Sequence, residues 1–168
     1  MTSPRFRLKR LYGKRDSHSY NSQLRGETRL HVEVADYLIS KEILFHHSPN
    51  EGRRSFFQQW LIKKMGVSSG FPDFILYPPF PGNPELYIEM KFGSNGLSAN
   101  QKKWLEALVA RGRIAIVSWS SVAVVEYLEN RAHLLLTEDN GKRCYIISSD
   151  TGVPKKLKRN VMSVLKNE

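Results

Sequence analysis

Apolar positions along the chain follow helical or strand-like spacing, and each pattern predicts an element. Leu30, Val34 and Leu38 recur four apart, so 27–40 is expected to be a helix. Phe57, Trp60, Leu61 and Met65 share one side of a second helix over 53–65, which Gly66 stops. The run 97–112 carries the strongest helix signal. Ser98 caps it, Gln101 holds the capping-box position, Trp104, Leu105, Leu108 and Val109 form an apolar stripe, and Gly112 ends it. Short apolar runs at 41–47, 71–78, 85–92 and 113–119 predict strands, the middle two forming an antiparallel hairpin across the Pro/Gly connection 79–84. A turn is expected at 48–52 and a short helix at 120–130. Beyond 130 the pattern weakens. AHLLLT and RCYIIS flank the turn EDNGK as a further hairpin, and Val153, Leu157, Val161 and Val164 mark a basic amphipathic helix over 153–167. Residues 1–25 are polar and rich in Arg, Ser and Tyr, an arm that orders on binding. Trp60, Trp104 and Trp119 are spaced like core residues, whereas Tyr12 and Tyr20 in the arm are better placed to stack on bases. The simplest division is one α/β domain with two extensions: a basic arm at 1–25, a core at 26–130 and a C-terminal extension at 131–168.

Composition narrows the functional classes. With 168 residues the chain has room for one domain with a hydrophobic core. Cys144 is the single cysteine, which excludes an intrachain disulfide framework and a four-cysteine zinc site. His46 and His47 lack the spaced partners of a zinc pair. The opening MTSPRFRLKR has no apolar signal region and no run of about 18 apolar residues occurs, so a cytoplasmic protein is expected.

The net charge of +10 is concentrated at the ends. Residues 1–25 hold seven bases and one acid, residues 151–168 hold five bases and one acid, and the intervening body holds fourteen of each. Basic arms on a neutral body point to a polyanion, and nucleic acid fits best because lysine and arginine displace counterions from phosphates. Arg7, Lys9 and Arg10 at one end and Lys155, Lys156 and Lys158 at the other are candidate DNA contacts.

Candidate chemistry lies between the arms. Glu89 and Lys91 are two apart in a predicted strand, so both face away from the apolar side formed by Leu86, Ile88, Met90 and Phe92. That side is expected to be the core, which leaves Glu89 and Lys91 on the exposed face. Asp73, on the neighbouring strand, can reach the same face. Two converging carboxylates make an oxygen-ligand site for Mg²⁺ or Mn²⁺, which would polarise a phosphate and activate water. Lys91 would orient that water or balance charge on the phosphate. The same residues also read as a surface ion pair beside an unrelated aspartate.

The surrounding series of motifs resembles the VRR-NUC family, a branch of the PD-(D/E)XK nucleases. The matching pieces are Gly70-Phe71-Pro72-Asp73, Glu89-Met90-Lys91, Leu97-Ser98 with Gln101 and Trp104, and Gly112 before a β-rich run. Upstream, His47-Ser48-Pro49-Asn50 resembles the family's His-x-Pro-Asn turn, and Glu27 opens the first helix where the family carries an acid. The family often has Gln four residues after that acid; here the residue is His31. Phe71 replaces the family's small residue before the Pro-Asp pair and is expected to narrow the pocket entrance.

The resemblance implies a restriction-endonuclease-like core: a four-stranded mixed sheet flanked by helices, with the first helix bringing Glu27 over the sheet. It implies Glu27, Asp73, Glu89 and the backbone carbonyl of Met90 as metal ligands for Mg²⁺ or Mn²⁺. It implies Glu27, Asp73, Glu89, Lys91 and Gln101 as the catalytic set. Gln101 serves either the capping box or the site. His47, Asn50, Arg53, Arg54, Lys102 and Lys103 are candidate DNA contacts; Arg53 and Arg54 oppose the dipole at a helix start, which hints at an external phosphate. The family implies hydrolysis of phosphodiesters to a 5′-phosphate and a 3′-hydroxyl. Small free-standing members are mostly phage or bacterial proteins, some resemble homodimeric Holliday-junction resolvases, and related domains in larger repair proteins cut branched or flapped DNA. A homodimeric, structure-selective endonuclease of DNA repair or recombination is therefore expected. The alternatives are a sequence-specific restriction-type endonuclease and a non-catalytic DNA-binding or assembly factor.

Overall fold

The computed structural model describes residues 23–48, 55–77, 85–130 and 144–148. The helix α1 spans Gly26–Ser40. Glu27 in its first turn suits the positive end of the helix dipole, and Val34, Ala35 and Leu38 are buried at the predicted spacing. Lys41 and Glu42 close the helix rather than starting a strand: Glu42 takes φ 55° and the Ile43 N–H returns to the Leu38 carbonyl at 2.9 Å. The strand β1 is accordingly short, Phe45–His47.

After α2 (Phe56–Lys64) come β2 (Phe74–Leu76), β3 (Leu86–Met90), α3 (Ala99–Val109), β4 (Ile114–Ser118), α4 (Ser121–Asn130) and β5 (Cys144–Ile147). The sheet order is β1-β2-β3-β4-β5. The first three strands run antiparallel to one another in turn, β3 and β4 are parallel, and β5 returns antiparallel to β4. The predicted β2–β3 hairpin is present, with Phe74 opposite Ile88. The parallel step is made through α3, the crossover that such a pair requires.

Alternation along the strands builds two cores. Phe45, Phe74, Leu76, Ile88, Met90, Ile116 and Cys144 face α1 and α4, packing with Val34, Leu38, Ala123 and Val124. Ala115, Val117, Tyr145 and Ile147 face α3, packing with Leu105. Each fully buried large side chain contributes on the order of 1.5–3 kcal/mol, and the sheet supplies them to both faces.

One expectation is extended and two are corrected. The four strands of the expected mixed sheet are joined by a fifth among the described residues. The RCYIIS segment joins its edge through β5, filling both cores; the predicted strand partner at 132–137 and the helix at 153–167 lie outside the described residues. The face of β3 that bears Glu89 and Lys91 is not exposed: the two residues are 1% and 5% accessible, because α3 covers that side of the sheet. Trp60 is not a core residue. The apolar stripe of α2 is present, yet none of its side chains is buried; Phe56 is 92% and Trp60 54% exposed. A stripe specifies a face, but burial needs a neighbour of matching shape. The α2 rings instead cover one another, with Phe57 stacked on Trp60 at 5.9 Å and Lys64 above the Trp60 ring. Trp119 packs against the core edge-on to Tyr145, as expected, whereas Trp104 is half-buried, edge-on to Phe71 and outside both core clusters.

Candidate functional site

The site lies at the sheet end where the chain enters β2 and leaves β3. Gly70 adopts φ 86°, and a Cβ there would stand 2.8 Å from backbone atoms of Asn100 and Gln101. Only glycine lets the chain pass this close to the start of α3. Phe71 then packs edge-on against Trp104 at 4.9 Å, so its ring braces α3. Pro72 is fully buried, and Asp73 follows with its carboxylate turned into the sheet end. Asp73 Oδ2 accepts the Met90 N–H at 2.7 Å, and the Asp73 carbonyl accepts the Ser48 N–H at 2.8 Å. The carboxylate is thus tied to β3, while the Asp73 backbone is tied to the residue after β1.

Glu89 stands beside it. Its Oε1 accepts from Lys91 Nζ at 2.6 Å and from Gln101 Nε2. Its Oε2 is buried and has no hydrogen-bond partner among the described residues. Burial and the nearby Asp73 carboxylate, against the opposing pull of Lys91, push the Glu89 carboxyl up to about 8. A buried Glu–Lys pair flanked by further carboxylates is poor material for stability, since desolvation of the charges offsets their attraction. Such an arrangement makes this sheet end the candidate functional site.

Gln101 completes the capping box and also reaches Glu89. Its Oε1 accepts the Ser98 N–H at 2.8 Å, completing the capping box, while its Nε2 donates to Glu89. The cap orients the amide that reaches the carboxylate.

From the other face of the sheet α1 delivers Glu27 and, one turn later, His31. Donor atoms of Glu27, His31 and Asp73 all lie within 4.8 Å of one another. His31 Nε2 is 3.4 Å from Asp73 Oδ2, and His31 Nδ1 is 3.2 Å from His47 Nε2. His47, a sequence-predicted DNA contact, sits half-buried with its ring stacked on Phe74 at 4.5 Å. His31, which the sequence reading noted in place of the family's Gln without giving it a role, is thereby brought into the candidate site. Its signal was its place four residues after Glu27, on the same helix face.

Of the remaining candidates, Lys102 is half-buried and Lys103 exposed on α3. Lys103 lines an open groove of about 540 Å³ with Ser68, Asn100, Trp104 and Arg111, on the flank of α3 away from the carboxylates. Asn50, Arg53, Arg54, Arg7, Lys9, Arg10, Lys155, Lys156 and Lys158 lie outside the described residues.

The profile of the VRR-NUC domain matches residues 14–121. The chain belongs to the VRR-NUC domain family. The matched span contains Glu27, Asp73, Glu89, Lys91 and Gln101, and membership implies nuclease activity with DNA as substrate. Comparison with curated proteins and with solved structures gave no match. The mixed sheet with helices on both faces is the PD-(D/E)XK-like architecture expected of a VRR-NUC domain. Its residues suit a divalent cation: carboxylates and an imidazole converge, and a buried carboxylate oxygen lacks a protein donor among the described residues. No helix among the described residues is long and apolar enough to cross a membrane.

Proposed function

We propose that this VRR-NUC protein is a divalent-metal-dependent endonuclease acting on branched DNA such as four-way junctions or flaps. The observation that carries the reading is Glu89: it is buried, one oxygen is held by Lys91 and Gln101, and the other has no hydrogen-bond partner among the described residues, beside Asp73. Glu27, Asp73, Glu89 and the Met90 carbonyl are the proposed ligands, with Mg²⁺ or Mn²⁺ as the ion. Bound there, the ion would supply Lewis-acid polarisation of the phosphate and a lowered water pKa.

The chain's own groups do the rest. Asp73 is immobilised by the Met90 N–H, so its free lone pairs keep a fixed direction. Lys91, held on Glu89, presents an ammonium where negative charge builds on the phosphate oxygens. Gln101 fixes the Glu89 carboxylate from the α3 side. Hydrolysis forms a bond from water oxygen to phosphorus and breaks the P–O3′ bond, leaving a 5′-phosphate. A proton leaves the water and the 3′ oxygen takes one up. One site makes one incision, so symmetric cleavage of a junction calls for a homodimer. The basic segments at 1–25 and 151–168 are proposed to hold the DNA arms, around a catalytic core at 26–130.

A cleavage assay tests this with four-way junction, flap, nicked, linear duplex and single-stranded DNA, with Mg²⁺, Mn²⁺ or EDTA. Incision of junctions or flaps at many sequences, abolished by EDTA and by Asp73→Ala, is expected. Lys91→Ala should lower the rate by roughly 10²–10³-fold, the scale for removing one charge-stabilising donor. Full activity in Asp73→Ala sinks the proposal. Cutting of linear duplex at one short site replaces it with a restriction-type enzyme, and no cleavage of any form replaces it with a DNA-binding factor.

A further inference from the structure

The His31 imidazole goes beyond the carboxylate set, and its surroundings specify how it is used. It is 8% exposed on the inner face of α1, one turn after Glu27. Metal–donor bonds of about 2.1 Å place the donors around one ion within about 4.2 Å of each other. The 4.8 Å spread of Glu27, His31 and Asp73 is close to that, and His31 Nε2 to Asp73 Oδ2, at 3.4 Å, is a normal spacing for adjacent ligands. The opposite ring nitrogen is engaged by His47. With a proton on His31 Nδ1 donated to His47 Nε2 at 3.2 Å, His31 Nε2 carries a lone pair directed at the carboxylates. His47 is itself fixed by stacking on Phe74. A ring nitrogen held by an outer partner while the other faces acidic oxygens is the arrangement that orients metal-ligating histidines. Independently, Glu89, 1% exposed, has a buried oxygen with no hydrogen-bond partner among the described residues at the same sheet end.

We propose that His31 Nε2 is a metal ligand beside Glu27 and Asp73, that His47 is its positioning residue, and that this nitrogen makes the site one for Mn²⁺ or a similar first-row ion in preference to Mg²⁺. Imidazole suits borderline transition metals, whereas Mg²⁺ selects oxygen and retains its water. The inference rests on the metal-centre reading and adds the identity of the ion.

The experiment is metal binding by the full chain without DNA. Calorimetric titration with Mn²⁺ and with Mg²⁺ is expected to show tighter Mn²⁺ binding. His31→Gln, which keeps an amide of similar reach, should weaken Mn²⁺ roughly 10-fold or more and leave Mg²⁺ little changed. His47→Phe, which keeps the stack on Phe74, should weaken Mn²⁺ roughly 10-fold, the low end for an outer-shell partner. Mn²⁺ electron paramagnetic resonance on the unaltered chain needs no variant to fold: a directly bound imidazole gives a nitrogen hyperfine coupling. Unchanged Mn²⁺ affinity in a folded His31→Gln, or Mn²⁺ bound without nitrogen coupling, overturns the proposal. DNA cleavage with no nitrogen coupling leaves the nuclease reading intact and removes this one. Nitrogen-bound Mn²⁺ with no cleavage of any DNA does the reverse.

Discussion

Glu89 illustrates how a residue's chemistry departs from its sequence context. Beside Lys91 in a strand it reads as half of an ordinary ion pair. Covered by α3 and placed next to Asp73, its carboxyl is pushed up to about 8 from the ordinary value of 4.5. The sign of the consequence follows. A carboxyl whose folded value is raised favours the folded state in its protonated form, so the contribution is complete below about 4.5 and is lost as pH climbs through about 8. The metal-free protein in EDTA should therefore lose thermal stability across that window relative to Glu89→Gln, whose amide does not titrate. Melting curves of the two from pH 5 to 8.5 decide it; parallel curves would show that Glu89 does not titrate in that range. A cation that replaces the proton should flatten the wild-type curve.

At the scale of elements, α2 and α3 make a controlled comparison. Both begin with Ser and Gln in a completed capping box, Ser55 with Gln58 and Ser98 with Gln101. Only α3 buries residues, Leu105 and Leu108. Cap removal should therefore register differently in urea unfolding. Ser98→Ala is expected to cost about 1 kcal/mol of global stability, while Ser55→Ala stays within about 0.5 kcal/mol, because α2 can fray without opening either core. Gly70→Ala should cost roughly 1–3 kcal/mol, combining a left-handed backbone with a Cβ driven into the start of α3. It should also lower cleavage, since the displaced helix carries Gln101 away from Glu89. A Gly70→Ala protein as stable and active as wild type would show that the close approach relaxes freely.

Across the whole molecule, the charge of +10 sits in segments at the two ends of the chain, while the body is neutral. Deleting 1–22 removes six bases and keeps the start of α1. Junction-DNA affinity should fall, and the slope of log K against log salt should shrink by about 0.9 for each phosphate that the arm no longer neutralises. An unchanged slope would remove the arm from the DNA interface. The far edge of the sheet offers a second global probe. Cys144 on β5 is buried, and burial pushes its thiol up to about 11. Native protein should resist alkylation at pH 8, with labelling appearing only as the sheet unfolds. Rapid labelling of folded protein would mean that β5 opens independently of the core.

What was legible in the sequence was local. Apolar spacing and cap chemistry act over three or four residues, which is why α1, α3 and the β2–β3 hairpin were readable from the residue order. The ordered pieces ending in Asp73, Lys91 and Gln101 pointed to the family through residue type and order alone, although the need for glycine at position 70 comes from the distant start of α3. Three things depended on distant partners. Burial of Glu89 and Lys91 followed from α3 lying on their face of the sheet. Exposure of α2 followed from the lack of a packed neighbour, among the described residues, for a stripe that looked like core. The meeting of His31 with Asp73 and His47 followed from α1 crossing to the sheet end. Sequence by itself determined the residues available for chemistry and the elements that carry them; tertiary structure decided which became dry and which came within bonding distance. The physical reason is that periodicity and capping are short-range, whereas desolvation and ligand convergence depend on what packs against a residue from far along the chain.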